Sequence, residues 1–323
     1  MVLEDEKVLF LALAGGCLAK WVGLAWVRHQ KKKRFQCIGH VSSLYCYPVK
    51  SCKGISLKSG YCTRTGLSCS KTVRDRHWVV TRENGDFVTQ RQYPQMALLT
   101  VSCHGDAINV DAPGRKTLSL SSKQLVDKDH IRKIRVWDDH TVGLDCGDEA
   151  AAWISEFLQE EGLRVGYSAP GLDKRDASLA IKDWENLALP GDICGYADFC
   201  AYMIATDSSL VDLNSQLEKP VTFQNFRPNI VVAGTPPFDE DNWQEVCIGD
   251  KVYFRCLDPC TRCTLTTVDP NTGVKDKDRQ PLETLKKIRC FPVYGASPCF
   301  GVNMALDSPG DVKIGDPVYA LLK

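Results

Sequence analysis

The chain has 323 residues, 44% of them hydrophobic and 25% charged, with 40 basic and 40 acidic side chains, a composition of ordinary globular type and long enough for about two domains of roughly 150 residues each. Zero formal net charge removes the bulk basic field that nucleic-acid binding needs, so no nucleic-acid partner is expected. Sixteen cysteines would suit a disulfide scaffold only in a short secreted chain; scattered through strand-like apolar runs, they read as mostly reduced thiols of a protein facing the cytosol.

The first element is an apolar run, Val8 to Val27, of about twenty residues interrupted by Lys20, the length a helix needs to cross a bilayer. Glu4, Asp5 and Glu6 precede it, and Arg28, Lys31, Lys32, Lys33 and Arg34 follow it, so the positive-inside rule puts the body on the cytosolic side. Residues 1–34 hold seven basic and three acidic side chains, leaving 33 basic against 37 acidic in the body. A cleavable secretory signal would need a positive leading region and a small-residue cleavage site, and a matrix transit peptide would be an Arg-rich amphipathic helix. Neither pattern is present, and residues 1–34 are expected to be a membrane anchor with a basic flank.

From Ile38 onward short alternating segments predict strands at His77–Thr81, Ala97–Ser102, Ala107–Asp111, Thr117–Ser121, Ile134–Asp138 and Thr141–Asp145. Asp148–Glu161 opens with acids, carries Ala152, Ile154, Phe157 and Leu158 near helical spacing and stops before Gly162, which predicts a helix. A mixed first domain is therefore expected over 35–173. Lys174–Pro190 mixes charges with Ala180, Ile181 and Trp184 and ends in a Pro190-Gly191 turn, so it reads as a docked connector opening a second domain, 174–323. There, Ser208–Leu217 has a helical apolar face, Ile230–Ala233 reads as a buried strand, and two Ile-Gly-Asp turns introduce strands Val252–Cys256 and Val318–Leu322. A small barrel of antiparallel strands is expected, and no repeat or low-complexity tract competes with it.

Several common sites are missing: no Gly-x-Gly-x-x-Gly opens a helix, no phosphate loop ends in Gly-Lys-Ser/Thr, and no His-Glu-x-x-His occurs. The sharpest cluster present is Asp258-Pro259-Cys260-Thr261-Arg262-Cys263, two thiols flanking an arginine, expected just ahead of a strand. A soft thiolate suits a soft or high-valent metal centre, and a neighbouring arginine favours the thiolate and an anion alike. Structural zinc or a redox pair is the competing reading, although no second Cys-x-x-Cys or Cys/His pair lies at finger-like spacing and no adjoining βαβ pattern supports a thioredoxin-like site. Tyr47-Pro48-Val49-Lys50-Ser51-Cys52-Lys53-Gly54 is a turn that could cradle a phosphate, and Arg74-Asp75-Arg76 and Asn225-Phe226-Arg227-Pro228-Asn229 each place arginine before a strand.

These blocks, in this order, together with Pro281-Leu282-Glu283-Thr284-Leu285-Lys286 and the closing Gly315-Asp316-Pro317-Val318-Tyr319, resemble the mitochondrial amidoxime-reducing component family from about Gly39 to Leu322. The resemblance implies a mostly β, α+β body: an N-terminal MOSC-associated β-barrel-like domain and a MOSC β-barrel domain, preceded by one transmembrane helix, with molybdenum-molybdopterin bound between the domains. It implies that Cys263 is the molybdenum ligand and catalytic thiol, with Thr261 and Arg262 lining the cofactor and Lys50, Ser51, Arg76 and Arg227 around the pterin phosphate. The pattern departs from the family at Phe199 and Cys200, where Thr-Ser is usual, and at Asn303, where Tyr is usual; these three positions belong to the cofactor rim and bear on substrate range. The implied activity is reduction of N-hydroxylated compounds, amidoximes and hydroxylamines, with electrons from NADH through cytochrome b5 reductase and cytochrome b5. The implied place is the mitochondrial outer membrane with the body facing the cytosol, the endoplasmic reticulum and peroxisome membranes being alternatives. The rival function is a non-catalytic membrane-tethered module in which Cys260 and Cys263 bind zinc or carry sulfur.

Overall fold

The computed structural model describes residues 35–123 and 130–323. The anchor expected over 1–34 lies outside them; among the described residues no helix is long and apolar enough to cross a membrane. The body is mostly β, with the short helices Asp148–Leu158, Asp207–Asn214, Phe223–Phe226 and Leu282–Ile288 among the described residues.

Seven strands close on themselves in the order Ile230–Ala233, Tyr202–Thr206, Cys299–Ser308, Val252–Thr261, Trp243–Ile248, Pro317–Leu322 and Gln36–Cys46, the last returning to the first. Closure leaves no unpaired edge in the ring. The expected all-antiparallel pattern is broken at one place, since Tyr202–Thr206 runs parallel to Ile230–Ala233, which the intervening helices Asp207–Asn214 and Phe223–Phe226 allow. The closing strand Gln36–Cys46 comes from the start of the body, yet it pairs with Ile230–Ala233 and Pro317–Leu322.

The two-residue period of a strand sorts the barrel's side chains. Tyr202 and Ile204 point into an interior core with Val41, Leu44, Trp243 and Phe254, while Met203 and Ala205 join Leu213, Phe226 and Phe300 in an outer layer under the helices. Both faces are therefore buried, which is why Tyr202–Thr206 is apolar without a gap up to its capping Thr206.

A second core lies under the sheet Trp78–Arg82, Leu163–Tyr167, Asp139–Asp145 and Ile131–Val136 and the meander Thr100–His104, Ala107–Asp111 and Leu118–Ser121. Trp78 stacks on Tyr167 at its centre, ring centroids 4.5 Å apart. Asp148–Leu158 seals this core with Ala150, Ala151, Ile154 and Leu158, keeps Asp148 and Glu149 at its positive end and stops at Gln159, which turns left-handed. The strand expected at Ala97–Ser102 is instead a 3-10 turn over Pro94–Leu98 followed by the strand Thr100–His104, because Pro94 pre-sets the turn's first dihedral. The thiol block sits at the end of the strand Val252–Thr261 rather than ahead of one.

Candidate functional site

Asp75 is the hub of the site. It is 2% exposed, accepts the Tyr47 backbone N–H at 2.7 Å and the Asn229 Nδ2 at 2.9 Å, and pairs with the Arg76 guanidinium. Three segments distant in sequence are thereby tied together, and Arg76 Nη2 adds a bond of 3.0 Å to the Arg227 carbonyl. The thiol block joins through two further links: Arg262 Nη1 donates to the Phe226 carbonyl at 2.9 Å, and Asn225 Nδ2 donates to the carbonyls of Thr266 and Val268 at 3.1 Å each.

Ser51, Arg76 and Arg227 all have left-handed backbone, at φ 65°, 53° and 62°. Each such non-glycine residue costs roughly 1–2 kcal/mol and persists only where its surroundings over-determine it, as at a binding site. Both guanidiniums lie over the Tyr47 ring, Arg76 5.0 Å and Arg227 4.3 Å from its centroid. Gly54 makes that packing possible, since a Cβ there would sit 2.3 Å from a Tyr47 ring carbon. Arg227 Nη1 donates to the Cys52 carbonyl at 2.5 Å, but its Nη2 and the Tyr47 hydroxyl are buried with no partner. Burial, aided by the nearby Arg76 charge, lowers Arg227 to about 10. A buried guanidinium beside another cation, with one donor unspent, has the charge and the free donor that binding an anion would use.

Lys50 forms the next wall. It is 4% exposed, and burial lowers its ammonium to about 8 even though Asp198 Oδ1, 2.7 Å away, pulls the other way. Although 64% of its side chain is exposed, the Lys50 charge and hydrogen bonds from Lys50 and Trp137 Nε1 (2.9 Å) hold the Asp198 carboxyl far below its usual range. Arg91 lies 4.1 Å over the Trp137 ring. Ser51 is buried, and its carbonyl accepts from Gln90 Nε2 at 2.7 Å.

Cys263 is exposed and caps the 3-10 turn Thr264–Thr267, its carbonyl held by the Thr266 N–H and hydroxyl. Cys260 packs against the outer core, where burial pushes its thiol up. Of the two thiols, Cys263 is the accessible one. Thr261 is half-buried and paired with Cys299. The Arg262 guanidinium bonds the Phe226 and Phe300 carbonyls, so it braces the thiol turn. Among the described residues no three His, Cys, Asp or Glu side chains gather as a metal set.

The three departures lie on a flank built around Asp258, which takes Asn303 Nδ2 at 3.0 Å, Lys182 Nζ at 2.6 Å and Trp184 Nε1 at 2.8 Å. Lys182 also sits 3.1 Å over the Phe199 ring. Cys200 is packed with Leu257 and Ala305, where burial raises its thiol, and it donates to the Tyr202 carbonyl at 3.2 Å. Lys50, Ser51, Arg76 and Arg227 therefore converge, Thr261 to Cys263 are tied to them, and Phe199, Cys200 and Asn303 form the flank. Sequence reasoning passed over Asp75 and Asn229 as the hub and Asp198, Trp137 and Arg91 as a wall; a carboxylate between two arginines was the one legible signal.

Residues 38–161 match the MOSC N-terminal beta barrel domain and residues 192–319 the MOSC domain. Among full-length relatives, mitochondrial amidoxime-reducing component 1 of Homo sapiens is 41% identical, over 99% of this chain and 96% of its own length. Mitochondrial amidoxime reducing component 2 of Bos taurus is 40% identical over 93% and 89%, and component 1 of Danio rerio 32% identical over 98% and 96%.

Proposed function

Since this chain belongs to the mitochondrial amidoxime-reducing component family of MOSC-domain oxidoreductases, we propose that it reduces N-hydroxylated compounds, amidoximes and hydroxylamines, with a molybdenum-molybdopterin cofactor. The observation that carries the reading is the buried Arg227 Nη2 and Tyr47 hydroxyl, both without an acceptor, beside Arg76 and tied to the exposed Cys263. The donor set fits the group. Arg227, Tyr47 and Lys50 would hold its phosphate, with Ser51 and Arg76 shaping the cradle, and Cys263 offers the soft thiolate a molybdenum centre prefers. Bound there, the cofactor would supply the two-electron chemistry that removes oxygen from nitrogen.

The chain's own side chains do the rest. Asp75 fixes Arg76 by an ion pair and keeps Tyr47 in register, so the phosphate donors are preorganised. Arg262 and Asn225 clamp the thiol turn, and Phe199, Lys182 and Asn303 on the Asp258 flank bear on which substrates enter. With no nicotinamide fingerprint in the sequence, electrons would come from NADH through cytochrome b5 reductase and cytochrome b5. The relatives are mitochondrial by name, and residues 8–27 would anchor the chain in the outer membrane with its body, 35–173 and 174–323, toward the cytosol.

Elemental analysis with pterin fluorescence on the purified full chain tests the reading, followed by amidoxime reduction with NADH. Molybdenum with pterin, and turnover only after both electron-transfer proteins are added, is expected. Zinc without pterin, or NADH oxidation by the chain alone, would overturn it.

A further inference from the structure

The connector Lys174–Pro190 turns its side chains the wrong way round for a loop in water. Ala177 and Ala188 are buried with Leu257 and Ala305, and Lys182 and Trp184 reach in to Asp258. Asn186 Nδ2 ties the two limbs together by donating to the carbonyls of Ala177 at 2.8 Å and Ala180 at 3.1 Å. The apolar positions between these turn outward: Leu179 is 76% exposed, Ile181 90%, Leu187 46% and Leu189 54%. Single exposed apolar residues are ordinary, but four large ones on one short, pinned loop form a crest, and such apolar surface marks a protein or membrane contact.

The course of the chain favours the membrane. On the strand Val252–Thr261, Phe254 and Cys256 belong to the barrel interior, so Tyr253, Arg255 and Leu257 take the outer face. Phe35, the first described residue, packs edge-on against Tyr253 with ring centroids 5.9 Å apart, Asp192 accepts from Arg255 at 2.6 Å, and Leu257 lies under the crest. Tyr253 to Leu257 is about 13 Å of strand. Residues 28–34, which join Phe35 to the apolar run, reach about 25 Å at full stretch. We propose that Leu179, Ile181, Leu187 and Leu189 dip into the bilayer that residues 8–27 span, an inference that rests on the anchor proposed above. Asp183 and Glu185, exposed between the apolar pairs, stay among the headgroups, where the ammonium ends of phosphatidylcholine meet them, while the apolar side chains reach the acyl boundary. The same loop carries Lys182 and Trp184 to Asp258, so the flank of the site lies beside the membrane.

The full chain in phosphatidylcholine vesicles, with the photoreactive p-benzoylphenylalanine in place of Ile181, tests this by crosslinking and mass spectrometry. Lipid adducts should form at Ile181 and, with the probe moved there, at Leu187. They should be about tenfold fewer at Val211, which is 68% exposed on the helix packed over Tyr202–Thr206 and Ile230–Ala233. With the probe at Leu187, Leu179→Asp together with Ile181→Asp should remove most of the adduct while the chain stays with the vesicles in alkaline carbonate; both positions are exposed, and an unchanged Tm shows that the fold is kept. Retention in carbonate without a lipid adduct at Ile181, equal adducts at Val211, or a crosslink joining two copies of the chain overturns insertion of the crest and leaves the anchor standing. Release of the parent chain by carbonate overturns the anchor and this inference with it.

Discussion

Replacing each thiol of the Cys260-Thr261-Arg262-Cys263 block by serine separates a catalytic ligand from a structural pair. Cys263 is exposed and its thiol makes no hydrogen bond among the described residues, so Cys263→Ser should move stability by no more than about 0.5 kcal/mol. A serine hydroxyl is hard and poorly ionised, and amidoxime reduction should fall on the order of 100-fold or more, about 2.7 kcal/mol of lost transition-state stabilisation. Cys260 packs against the outer core, and burial raises its thiol. Placing a hydroxyl there should cost about 1–2 kcal/mol, or roughly 2–6 °C in Tm, while most activity is kept. The assay is amidoxime reduction with NADH, cytochrome b5 reductase and cytochrome b5, run beside thermal unfolding and molybdenum content. Full activity in Cys263→Ser refutes the assignment. So does an equal loss of activity, metal and stability in both variants, the signature of two ligands in one tetrahedral site.

Arg227→Ala should strip molybdopterin, read as pterin fluorescence per chain, by a larger factor than any fall in Tm implies, because the buried Nη2 has no partner in the protein to lose; unchanged occupancy removes Arg227 from the site. Gly54→Ala should destabilise by about 1–3 kcal/mol and lower occupancy as well, since the new methyl would sit 2.3 Å from the Tyr47 ring that both arginines face. Glu240, fully buried under the hydroxyls of Thr206 and Ser209, has its carboxyl raised by burial to about 7. The folded state therefore holds a proton that the unfolded state releases near pH 4.5, and stability falls as pH rises from there to about 7. Glu240→Gln should thus raise Tm at pH 8 and change it little at pH 4; thermal unfolding at both pH values checks the sign.

Local order was legible in the residues because it depends on neighbours a few positions apart. Alternation marked Ala107–Asp111 and a short unbroken apolar run marked Ile230–Ala233, both at their observed bounds, and the acids at Asp148 and Glu149 with apolar residues at helical spacing marked the helix that follows Gly147. The chemistry of the four blocks was legible for the same reason: two thiols around an arginine, and arginines and lysines ahead of strands, state what could be bound. Tertiary structure decided where they meet. Asp198 reaches Lys50 across 148 positions and Arg76 reaches the Arg227 carbonyl across 151, and no spacing rule encodes such pairs. The first strand of the body closes the barrel on Ile230–Ala233 and Pro317–Leu322, a pairing that the period of two cannot choose, since alternation tells which face of a strand is apolar and is silent on its partner. The left-handed backbone at Ser51, Arg76 and Arg227 was equally hidden, because these residue types avoid it in isolation and adopt it only where bonds from distant segments hold them there.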